Sequence, residues 1–538
     1  MTDIAIIGAG LSGRLLAVNL LRQATHDVRI QMFERGEANY MGAAYSSNEG
    51  YLLLNVPACR MGAFSEDAEH FLKWVKEKGI AAGPWDFLPR KLYRDYVFSL
   101  LEESQMTDRN GASFTQIRGE VIDLEVGQNR ATLYVQGKGT FPAHKVVLAL
   151  GNFPPRNPHI YNRAALTSQR YVRDPWAFSG FSSLQGNESV VFIGSGQTMV
   201  DLLVGLYRRG HAGRIVSISR RGILPLAHKG FEPYPSFYAE IKDSTCLLEI
   251  FRSVRRHLDE ADRRGIDIRS VIDSLRPDTQ ALWLALPEAE KRRFLRHLFR
   301  YWEIIRSRIP PESDLIIQQL RASGQLEIIP GRIRNMVENE TGIEVHYSSP
   351  GGIREEVVNA SLVVNCIGPE SDIERVEHPL VKNLLRRGLV RPSPARLGID
   401  AQPQGEVIGR QGETSEFLYT MGSMMKGILW EVIAVPDIRL QAEQLAGLLL
   451  GHTHSQLPAL PMTVSSASVS PPEATKPVFT PTLTLKSEMP RSVSISAAIS
   501  AATASISKPA RTACSGSFSC ATGKPNTALK PSPWKRAT

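Results

Sequence analysis

Two segments of the chain place closely spaced glycines between a predicted apolar strand and a predicted helix, a pattern typical of turns that bind nucleotide phosphates. The first segment, DIAIIGAGLSGRLLA, contains Gly8, Gly10 and Gly13, and the second, VVFIGSGQTMVDLL, contains Gly194 and Gly196. In such a turn the first glycine permits a tight bend and the second lets the backbone approach a pyrophosphate. The N-terminus of the following helix stabilises the phosphate charge. The sequence therefore predicts two nucleotide-binding turns in one chain.

An acidic residue completes the first of these sites. The next predicted strand, VRIQMFE, ends on Glu34, about 20 residues after Gly13, where a carboxylate accepts hydrogen bonds from ribose hydroxyls. The alternative, an ordinary strand and helix with incidental glycines, is disfavoured because strand, helix and acid all occur together. The chain then runs through a long excursion until the strand KVVLALGN closes on Gly151. Such an excursion suits an extended cofactor whose far end must be covered, so we predict FAD rather than NAD here.

Basic residues take the corresponding place in the second site. Its next predicted strand, GRIVSISRRG, ends in Ser219, Arg220 and Arg221, at the position that Glu34 holds in the first. An acid there repels a 2′-phosphate, whereas serine and two guanidinium groups complement it. We therefore predict that NADPH binds the second site and reduces the FAD of the first; the alternative is an arginine pair on a solvated face. Met199 replaces the third glycine, which loosens the packing of helix on strand but leaves the glycines that contact phosphate.

These sites require an α/β fold with two Rossmann-like dinucleotide-binding domains. We predict an FAD-binding domain at 1–155 that returns at 373–450, and an NAD(P)H-binding domain at 185–372 with a helical insertion at 231–323. The tail at 451–538 is rich in Ser, Thr, Pro and Ala. It is predicted to be disordered, because such a composition cannot bury enough apolar surface to offset the entropy of ordering.

The insertion contains a segment with helical periodicity, TQALWLALPEAEKRRFLRHLFRYWEIIRSRIPP. Phe294, Leu298, Trp302 and Ile305 share one predicted face, and the arginines, Arg300 among them, are expected largely on the polar side. We interpret the segment as a core-facing amphipathic helix that walls a substrate pocket. A nucleic-acid surface is the less common meaning of such a charged face.

Composition excludes several classes of protein. The net charge is +9, but the residues from Gly451 onward hold nine Lys and Arg against two Glu, so the remainder is nearly neutral and no nucleic-acid partner is predicted. The five cysteines form no C-x-x-C pair, which argues against a zinc or disulfide framework. No apolar run approaches the ~20 residues of a membrane span, and no basic region precedes the apolar start. We expect a cytoplasmic protein without a metal or a membrane partner.

Six segments, two of which overlap the second site described above, are distinctive: GAAYSSNEGYLLLNVPACRMGAF, LPRKLYRDY, GSGQTMVDL, SISRRGILPLAH, VVNCIGP and GSMMKGILWEVIAVPDIRLQAEQLA. Together they resemble a family of bacterial FAD/NAD(P)-binding oxidoreductases. That family is related to flavin-dependent N-hydroxylating monooxygenases and, more loosely, to glutathione-reductase-type flavoproteins. The resemblance runs from Met1 to about Leu450 and implies FAD contacts at the first glycines and Glu34, in the loop Gly42–Asn55 and near Gly422. The chain lacks the paired cysteines of the disulfide reductases, which excludes a flavin–dithiol relay.

The predicted site residues can now be stated together. The predicted FAD contacts are Gly8, Gly10, Ser12, Gly13, Glu34, Asn55, Val121, Gly151 and Gly422. The predicted NADPH contacts are Gly194, Gly196, Thr198, Arg220 and Arg221. Asn55 and Lys426 are the candidate catalytic residues, since their segments LLLNVPA and GSMMKGILWE are expected to converge on the flavin ring.

Lys426 would stabilise negative charge on reduced flavin or pair with a substrate carboxylate; the alternative is a surface lysine. Trp430 is a further candidate for the flavin-facing surface, although it and Glu431 would equally suit core and capping roles. His228 is expected to be a structural or solvent-facing histidine rather than a catalytic base.

Three functions from different classes remain open. The favoured one is an NADPH-dependent flavin monooxygenase that uses dioxygen on a small molecule such as an amine. The second is an FAD-linked reductase or oxidase, and the third is a non-catalytic flavoprotein that senses NADPH. The arginine pair favours NADPH turnover, and no recognisable signalling module accompanies the fold. In such an enzyme the cofactor carries the chemistry, and the protein supplies orientation and excludes water.

Overall fold

The computed structural model describes residues 1–452 except 38–39, 107–110, 178–183, 185 and 353. The described residues lie within one compact unit, Met1–Glu488. A second unit, Met489–Thr538, lies entirely outside the described residues, and so does the predicted tail apart from Gly451 and His452.

The strands, in chain order, are β1 (Thr2–Ile7), β2 (Val28–Glu34), β3 (Ser113–Arg118), β4 (Val121–Val126), β5 (Ala131–Val135), β6 (Gly139–Ala143), β7 (Lys145–Leu148), β8 (Phe153–Pro155), β9 (Tyr171–Val172), β10 (Val190–Ile193), β11 (Ile215–Ser219), β12 (Leu326–Pro330), β13 (Arg332–Glu338), β14 (Ile343–Ser348), β15 (Glu355–Ala360), β16 (Leu362–Asn365), β17 (Pro369–Glu370), β18 (Glu406–Ile408) and β19 (Thr414–Thr420). The helices are α1 (Leu11–Gln23), α2 (His70–Glu77), α3 (Arg90–Met106), α4 (Gln197–Arg208), α5 (Leu247–Arg263), α6 (Ile268–Asp273), α7 (Thr279–Ala285), α8 (Glu288–His297), α9 (Phe299–Arg306), α10 (Pro311–Ala322), α11 (Pro379–Arg387) and α12 (Val435–Leu449). Short 3₁₀ helices include Ala58–Arg60, Ala164–Thr167, Tyr238–Glu240, Arg276–Asp278, Ile373–Arg375 and Gly422–Met425.

The first sheet has the strand order β18-β19-β7-β1-β2-β3, in which every pair is parallel except β18 with β19. Its central strand β1 is covered on both faces. Ile4 and Ile6 pack with α1 and α12, while Ala5 and Ile7 pack with α11 and the antiparallel β4–β6 sheet. A parallel strand buried on both faces reads as a continuous apolar run, which is what the sequence shows here.

The second sheet has the order β12-β11-β10-β16-β9 and is parallel throughout. Val190 and Phe192 pack on one face with α4 and α10, and Met199 is fully buried there. Val191 and Ile193 pack on the other face with the antiparallel β13–β15 sheet. In both sheets the glycine turn leaves the carboxyl end of a central strand, which is where open α/β sheets bind ligands.

The predicted α/β class with two Rossmann-like domains is confirmed, and the structure adds detail at the boundaries. β9 is a strand of the second sheet although it precedes residue 185, the predicted start of that domain. α10 packs with α4 in the core of the second domain, although it lies within the predicted insertion. The predicted single amphipathic helix is wrong: Pro287 and Leu298 divide it into α7, α8 and α9. No helix in the described ranges is long and apolar enough to cross a membrane.

Candidate functional site

Gly8, Gly10 and Gly13 form the first turn, between β1 and α1, and the three positions have different constraints. At Gly8 the backbone φ is +109°, and an added Cβ would lie 2.3 Å from the carbonyl oxygen of Ala149. At Gly13 an added Cβ would lie 2.0 Å from the carbonyl oxygen of Gly8. Gly10, by contrast, faces open space, with no described atom within 4 Å of an added Cβ. The turn thus leaves room at the position predicted for a pyrophosphate.

The start of α1 is arranged to bind an anion. Gly10 is its N-cap residue, and no side chain in the described part of the chain caps it. The first backbone N–H groups of a helix lack partners within the helix and carry partial positive charge. These donors and the open space beside Gly10 therefore match the needs of a phosphate group.

The carboxylate of Glu34 is fixed beside this turn. Its Oε2 accepts a hydrogen bond from the Ala9 N–H at 3.0 Å, and its Oε1 accepts one from the Gly36 N–H at 2.9 Å. The side chain is buried at the end of β2. Because each carboxylate oxygen accepts more than one hydrogen bond, Glu34 retains capacity for ribose hydroxyls.

Arg14 is a residue of this site that the sequence analysis missed. It lies in α1 with 1% of its surface exposed, and its Nε donates to the carbonyl oxygen of Ala9 at 2.9 Å. Its guanidinium carbon lies 4.1 Å from the centre of the Phe98 ring. Burial lowers the pKa of Arg14 to about 10, and the opposing charge of Glu34 limits the shift. The signal in the sequence was an arginine directly after the third glycine.

The C-terminal return meets the first turn at Gly422. An added Cβ at Gly422, whose φ is +68°, would lie 2.6 Å from Oγ of Ser12. The Gly422 N–H donates to Oε1 of Gln441 in α12 at 2.7 Å. Ser12 and Gly422, predicted from distant parts of the sequence, are therefore in direct proximity.

Gly151 and Val121, two further predicted FAD contacts, lie beside the carboxyl edge of the first sheet. Gly151, with φ +65°, follows β7, which pairs with β1. Val121 begins β4 and is buried, and just before it the Gly119 N–H donates to the carbonyl oxygen of Glu34 at 2.8 Å. Both positions lie close to the first turn or to the acid that completes it.

Gly194 and Gly196 form the second turn, between β10 and α4, and repeat the geometry of the first. At Gly194 φ is +115°, and an added Cβ would lie 2.5 Å from the carbonyl oxygen of Cys366. Gly196 is the extended N-cap residue of α4, as Gly10 is of α1, and among the described side chains none caps it. Thr198 is half-buried in the first turn of α4.

The two arginines after β11 have different surroundings. Arg220 is exposed and makes no ion pair or side-chain hydrogen bond within the described ranges. Partial burial, followed by the positive charges of Arg221, Arg156 and Arg332, lowers its pKa. The guanidinium of Arg221 instead lies 4.6 Å from the centre of the Tyr301 ring. Arg220 is therefore the freer of the two to bind an anionic group.

Arg300 of α9 reaches the second turn, so its expected place on a solvated face is wrong. Its Nη2 donates towards the carbonyl oxygens of Ser195 at 3.1 Å and Ile223 at 3.0 Å. Its Nη1 donates to Oε2 of Glu303 at 2.7 Å. An added Cβ at Gly196 would lie 3.8 Å from that Nη1. A guanidinium of the insertion thus lies beside the predicted pyrophosphate position.

A buried ion pair joins the two nucleotide-binding domains. Both Nη atoms of Arg90, at the start of α3, donate to the carboxylate of Asp201 in α4, each at 2.9 Å. Arg90 Nε also donates to the carbonyl oxygen of Leu53 at 2.8 Å. Nearby, Arg209, the residue directly after α4, donates from Nη2 to Oη of Tyr51 at 3.0 Å. The long excursion after β2 therefore packs against the helix of the second turn.

Asn55 lies at this junction and is contacted by His228. The His228 ring donates from Nε2 to the carbonyl oxygen of Asn55 at 3.0 Å, since a carbonyl can only accept. Burial, with the charge of Arg308, lowers the pKa of His228 to about 4, so the ring is neutral. His228 thus has a structural contact. No contact in the described part of the chain links Asn55 with Lys426, and their convergence stays a prediction.

Lys426 lies among aromatic rings and is half-buried. Its Nζ lies 5.3 Å from the centre of the Phe299 ring and 5.7 Å from that of Trp430. Within the described residues no carboxylate lies at ion-pair distance from it. Burial lowers the pKa of Lys426, against the opposing effects of Glu303 and Glu431. The geometry leaves this ammonium group available to an anionic partner.

Trp430 and Glu431 support this region. Trp430 is buried and stacked on Trp283, with ring centres 4.6 Å apart. Glu431 has φ +64° and accepts hydrogen bonds from Arg306 Nη2 and Trp302 Nε1, each at 2.8 Å. A positive φ is uncommon for a residue other than glycine and persists where surrounding contacts hold it. The bonds from α9 therefore fix the segment that carries Lys426.

The described cysteines, Cys59, Cys246 and Cys366, are free, and Cys514 and Cys520 lie outside the described residues. Among the residues that the structure describes, no group of three or more His, Cys, Asp or Glu is placed to bind a metal ion.

Comparison with known proteins identifies the domain that holds the first turn. Residues 5–153 match a family described as FAD-NAD(P)-binding, so this part of the chain is an FAD-NAD(P)-binding domain. The cradle at Gly10, the uncapped α1 and the buried Glu34 fit the pyrophosphate and ribose of such a cofactor. No curated protein matches the chain by sequence.

Several solved structures share the fold of the chain. One is DfoA bound to FAD, the cadaverine monooxygenase of desferrioxamine biosynthesis from Erwinia amylovora (14% identity, 91% of this chain and 100% of that chain covered, TM-score 0.56). Another is L-lysine 6-monooxygenase from Pseudomonas syringae (16%, 84% and 99%, TM-score 0.54). A third is the Kutzneria sp. 744 ornithine N-hydroxylase KtzI with reduced FAD, NADP⁺ and L-ornithine (13%, 84% and 99%, TM-score 0.52). The chain thus has the fold of flavin-dependent N-hydroxylating monooxygenases.

Proposed function

We propose that the protein is an FAD-dependent, NADPH-consuming monooxygenase that N-hydroxylates a small-molecule amine. The proposed reaction converts R–NH₂, O₂, NADPH and H⁺ into R–NHOH, H₂O and NADP⁺. The observation that carries the proposal is the contrast between the two sites: buried Glu34 completes the first turn, whereas exposed Arg220 follows the second.

FAD is assigned to the first site because that site is built for an adenosine as well as a pyrophosphate. Glu34 is positioned for the ribose of that adenosine, which FMN lacks. When bound, FAD supplies the redox and oxygen chemistry of the proposed reaction. The residues of the chain bind and orient it.

NADPH is assigned to the second site because of its charge. Arg220 has no carboxylate partner in the described ranges, and a guanidinium is complementary to a 2′-phosphate. The buried pair Arg90–Asp201 holds the two domains together, so a coenzyme at the second turn is presented to the domain that binds FAD.

The substrate is assigned to the surface around Lys426. The three structures named above are, by their names, enzymes of cadaverine, lysine and ornithine, which supports an amine. Lys426, held by Phe299 and Trp430 without a carboxylate partner in the described part, is proposed to pair with an anionic group of the substrate. The free cysteines among the described residues offer no dithiol for a disulfide reductase.

The decisive experiment measures the coupling of NADPH oxidation to product. The FAD-loaded protein is mixed with NADPH, O₂ and a panel of small amines with and without a carboxylate, and NADP⁺, hydroxylamine product and hydrogen peroxide are quantified. A monooxygenase forms product in proportion to NADPH with at least one amine. Stoichiometric hydrogen peroxide with every amine would assign the protein to the oxidases instead, and no NADPH oxidation would leave a sensing role.

The coenzyme assignment has its own test, the rate of flavin reduction against coenzyme concentration. Replacing Arg220 and Arg221 together by Ala removes charge-assisted hydrogen bonds worth about 1.5–3 kcal/mol each, with exposure favouring the lower value. The double variant should bind NADPH at least ~10-fold more weakly, since about 1.4 kcal/mol corresponds to tenfold. NADH carries no 2′-phosphate and should be unaffected. Equal losses for both coenzymes would refute the assignment.

A further inference from the structure

A cavity of about 730 Å³ lies where β13 of the second domain meets the segments that connect the two domains, and its lining residues include neither glycine turn. Its walls come from the segment after β8, from the start of β13 and from the residues around β17. Arg156, Arg163 and Arg332 line it, and none of their side chains has a partner in the described part of the chain. Although Glu370 and Glu377 also line the cavity, neither forms an ion pair with these three guanidinium groups in the described part of the chain, which indicates a site for an anion.

The cavity adjoins the carboxyl edge of the second sheet on the β12 side. The Gly331 N–H donates to the carbonyl oxygen of Ser219 at 2.8 Å, which places Arg332 beside the end of β11 and Arg220. The charges of Arg332 and Arg156 both act on Arg220, consistent with this placement.

Arg156 is fixed at the same edge on the β16 side. Its carbonyl oxygen accepts a hydrogen bond from Nδ2 of Asn365, at the end of β16, at 2.9 Å. β16 is the direct neighbour of β10, which carries the second turn. The unpartnered arginines therefore line the edge at which open α/β sheets bind their ligands.

Two other lining residues are suited to bind a nucleobase, so the ligand is expected to be more than a bare phosphate. The Tyr161 side chain is 77% exposed, which leaves its ring free for stacking. Glu370 has one buried carboxylate oxygen, Oε2, without a partner in the described part, while its Oε1 accepts from the Asp372 N–H at 3.0 Å. A buried carboxylate oxygen needs a donor, and the amino group of adenine is one.

We propose that this cavity binds a nucleoside that carries a phosphate monoester. Arg156, Arg163 and Arg332 bind the phosphate, Tyr161 stacks on the base, and Glu370 accepts a hydrogen bond from its amino group. Two molecules carry such a group: NADPH, in its 2′-phosphoadenosine half, and a free nucleotide bound beside the coenzyme. In the first case the inference rests on the proposed function; in the second it goes beyond it.

The test is calorimetric titration of the FAD-loaded full chain with 2′,5′-ADP. The wild-type protein should bind it, and Arg156→Gln and Arg332→Gln should each weaken binding at least ~10-fold, as expected for a charge-assisted contact to phosphate. Arg214→Gln is the matched control, because Arg214 precedes β11 at the opposite edge of the sheet and pairs with Glu327. It should bind like the wild type. Flavin absorbance and the thermal midpoint show that each variant is folded.

The base is tested with AMP and IMP, which differ in the amino group that Glu370 would bind. AMP should bind more tightly than IMP, and Glu370→Gln should reduce that preference. Titration in the presence of NADP⁺ then separates the sources: competition identifies the coenzyme itself, and simultaneous binding identifies a separate nucleotide.

Two results would overturn the inference: no binding of 2′,5′-ADP by the wild type, or unchanged binding by the Arg156→Gln, Arg332→Gln double variant. Flavin reduction by NADPH is measured in parallel. Normal reduction with unchanged 2′,5′-ADP binding in the double variant overturns this inference alone. Arginine-dependent binding without any reduction by NADPH overturns the proposed function alone.

Discussion

The three glycines of the first turn are expected to have different roles: Gly8 and Gly13 are required for folding, and Gly10 is required for cofactor binding. Gly8 and Gly13 leave no room for a side chain because backbone carbonyl oxygens lie 2.3 Å and 2.0 Å from an added Cβ. Gly10 faces open space and has an extended backbone that any residue adopts, with φ −68° and ψ −175°. A side chain at Gly10 therefore conflicts with the cofactor and not with the protein.

Gly10→Val should abolish FAD binding while the protein without cofactor still folds, because the valine fills the space of the pyrophosphate. Gly13→Ala is the contrasting variant, since its Cβ meets the carbonyl oxygen of Gly8 and should lower the thermal midpoint of the cofactor-free protein itself. Flavin absorbance and circular dichroism separate the two effects. Normal FAD content in Gly10→Val would show that the cofactor does not occupy the first turn.

His228 makes a residue-scale prediction about pH. Its pKa is about 4 in the folded protein, because burial and the charge of Arg308 disfavour the protonated ring. In the unfolded chain the pKa of histidine is about 6.5. The unfolded state therefore takes up a proton first as the pH falls, and the free energy of unfolding should decrease by up to roughly 3 kcal/mol between about pH 6.5 and pH 4.

His228→Gln should flatten that pH dependence, because glutamine donates to the Asn55 carbonyl without titrating. Urea unfolding at a series of pH values measures the effect. His26→Gln, at an exposed position, serves as the control and should keep the wild-type profile. Identical slopes for wild type and His228→Gln would mean that another group dominates this pH range.

At the scale of elements, the sequence predicted those features that depend on neighbouring residues alone. The apolar strands, the two turns and Glu34 follow from short-range sequence, and the structure has them at the predicted places. The contact of Arg300 with Ser195 joins residues 105 positions apart, and no periodicity in α9 indicates it. The same holds for the Arg90–Asp201 pair and for the division of the insertion into α7, α8 and α9, where Pro287 was the readable signal. The long-range contacts of the insertion could not be predicted from the sequence and are seen only in the structure.

The place of α9 predicts a role for Arg300 that differs from that of Arg220. Arg300→Gln should weaken binding of NADPH and NADH by similar factors, about tenfold, because the pyrophosphate beside Gly196 is common to both coenzymes. Arg296→Gln, on the exposed face of α8, should change neither. Flavin-reduction rates against the concentration of each coenzyme give the comparison. A loss confined to NADPH would place Arg300 at the 2′-phosphate instead.

At the scale of the whole molecule, the proposed reaction requires the two nucleotide-binding domains to be held so that electrons pass from the coenzyme of one to the cofactor of the other. The covalent connections near β8 and β17 join them, and the excursion after β2 and the start of α3 add contacts to α4 and to the residue that follows it. These contacts differ in environment. The pair Arg90–Asp201 is bidentate and largely buried, whereas Arg209–Glu49 is solvent-exposed at 3.1 Å. The buried pair should therefore dominate the junction.

Asp201→Asn should destabilise the protein strongly, because it leaves the Arg90 guanidinium buried without its counter-charge. Removal of one partner of a buried pair costs about 3–5 kcal/mol, whereas removal of an exposed pair costs roughly 0.2–1 kcal/mol. Glu49→Gln is therefore the matched control and should be nearly neutral in chemical denaturation. In Asp201→Asn protein that remains folded, FAD content should persist because the first turn is untouched, while flavin reduction by NADPH should slow as the second domain is held less firmly. If Asp201→Asn and Glu49→Gln had equally small effects on both unfolding and reduction, the domains would be held together by apolar packing and chain connectivity, and the ion pair would have no special part in the junction.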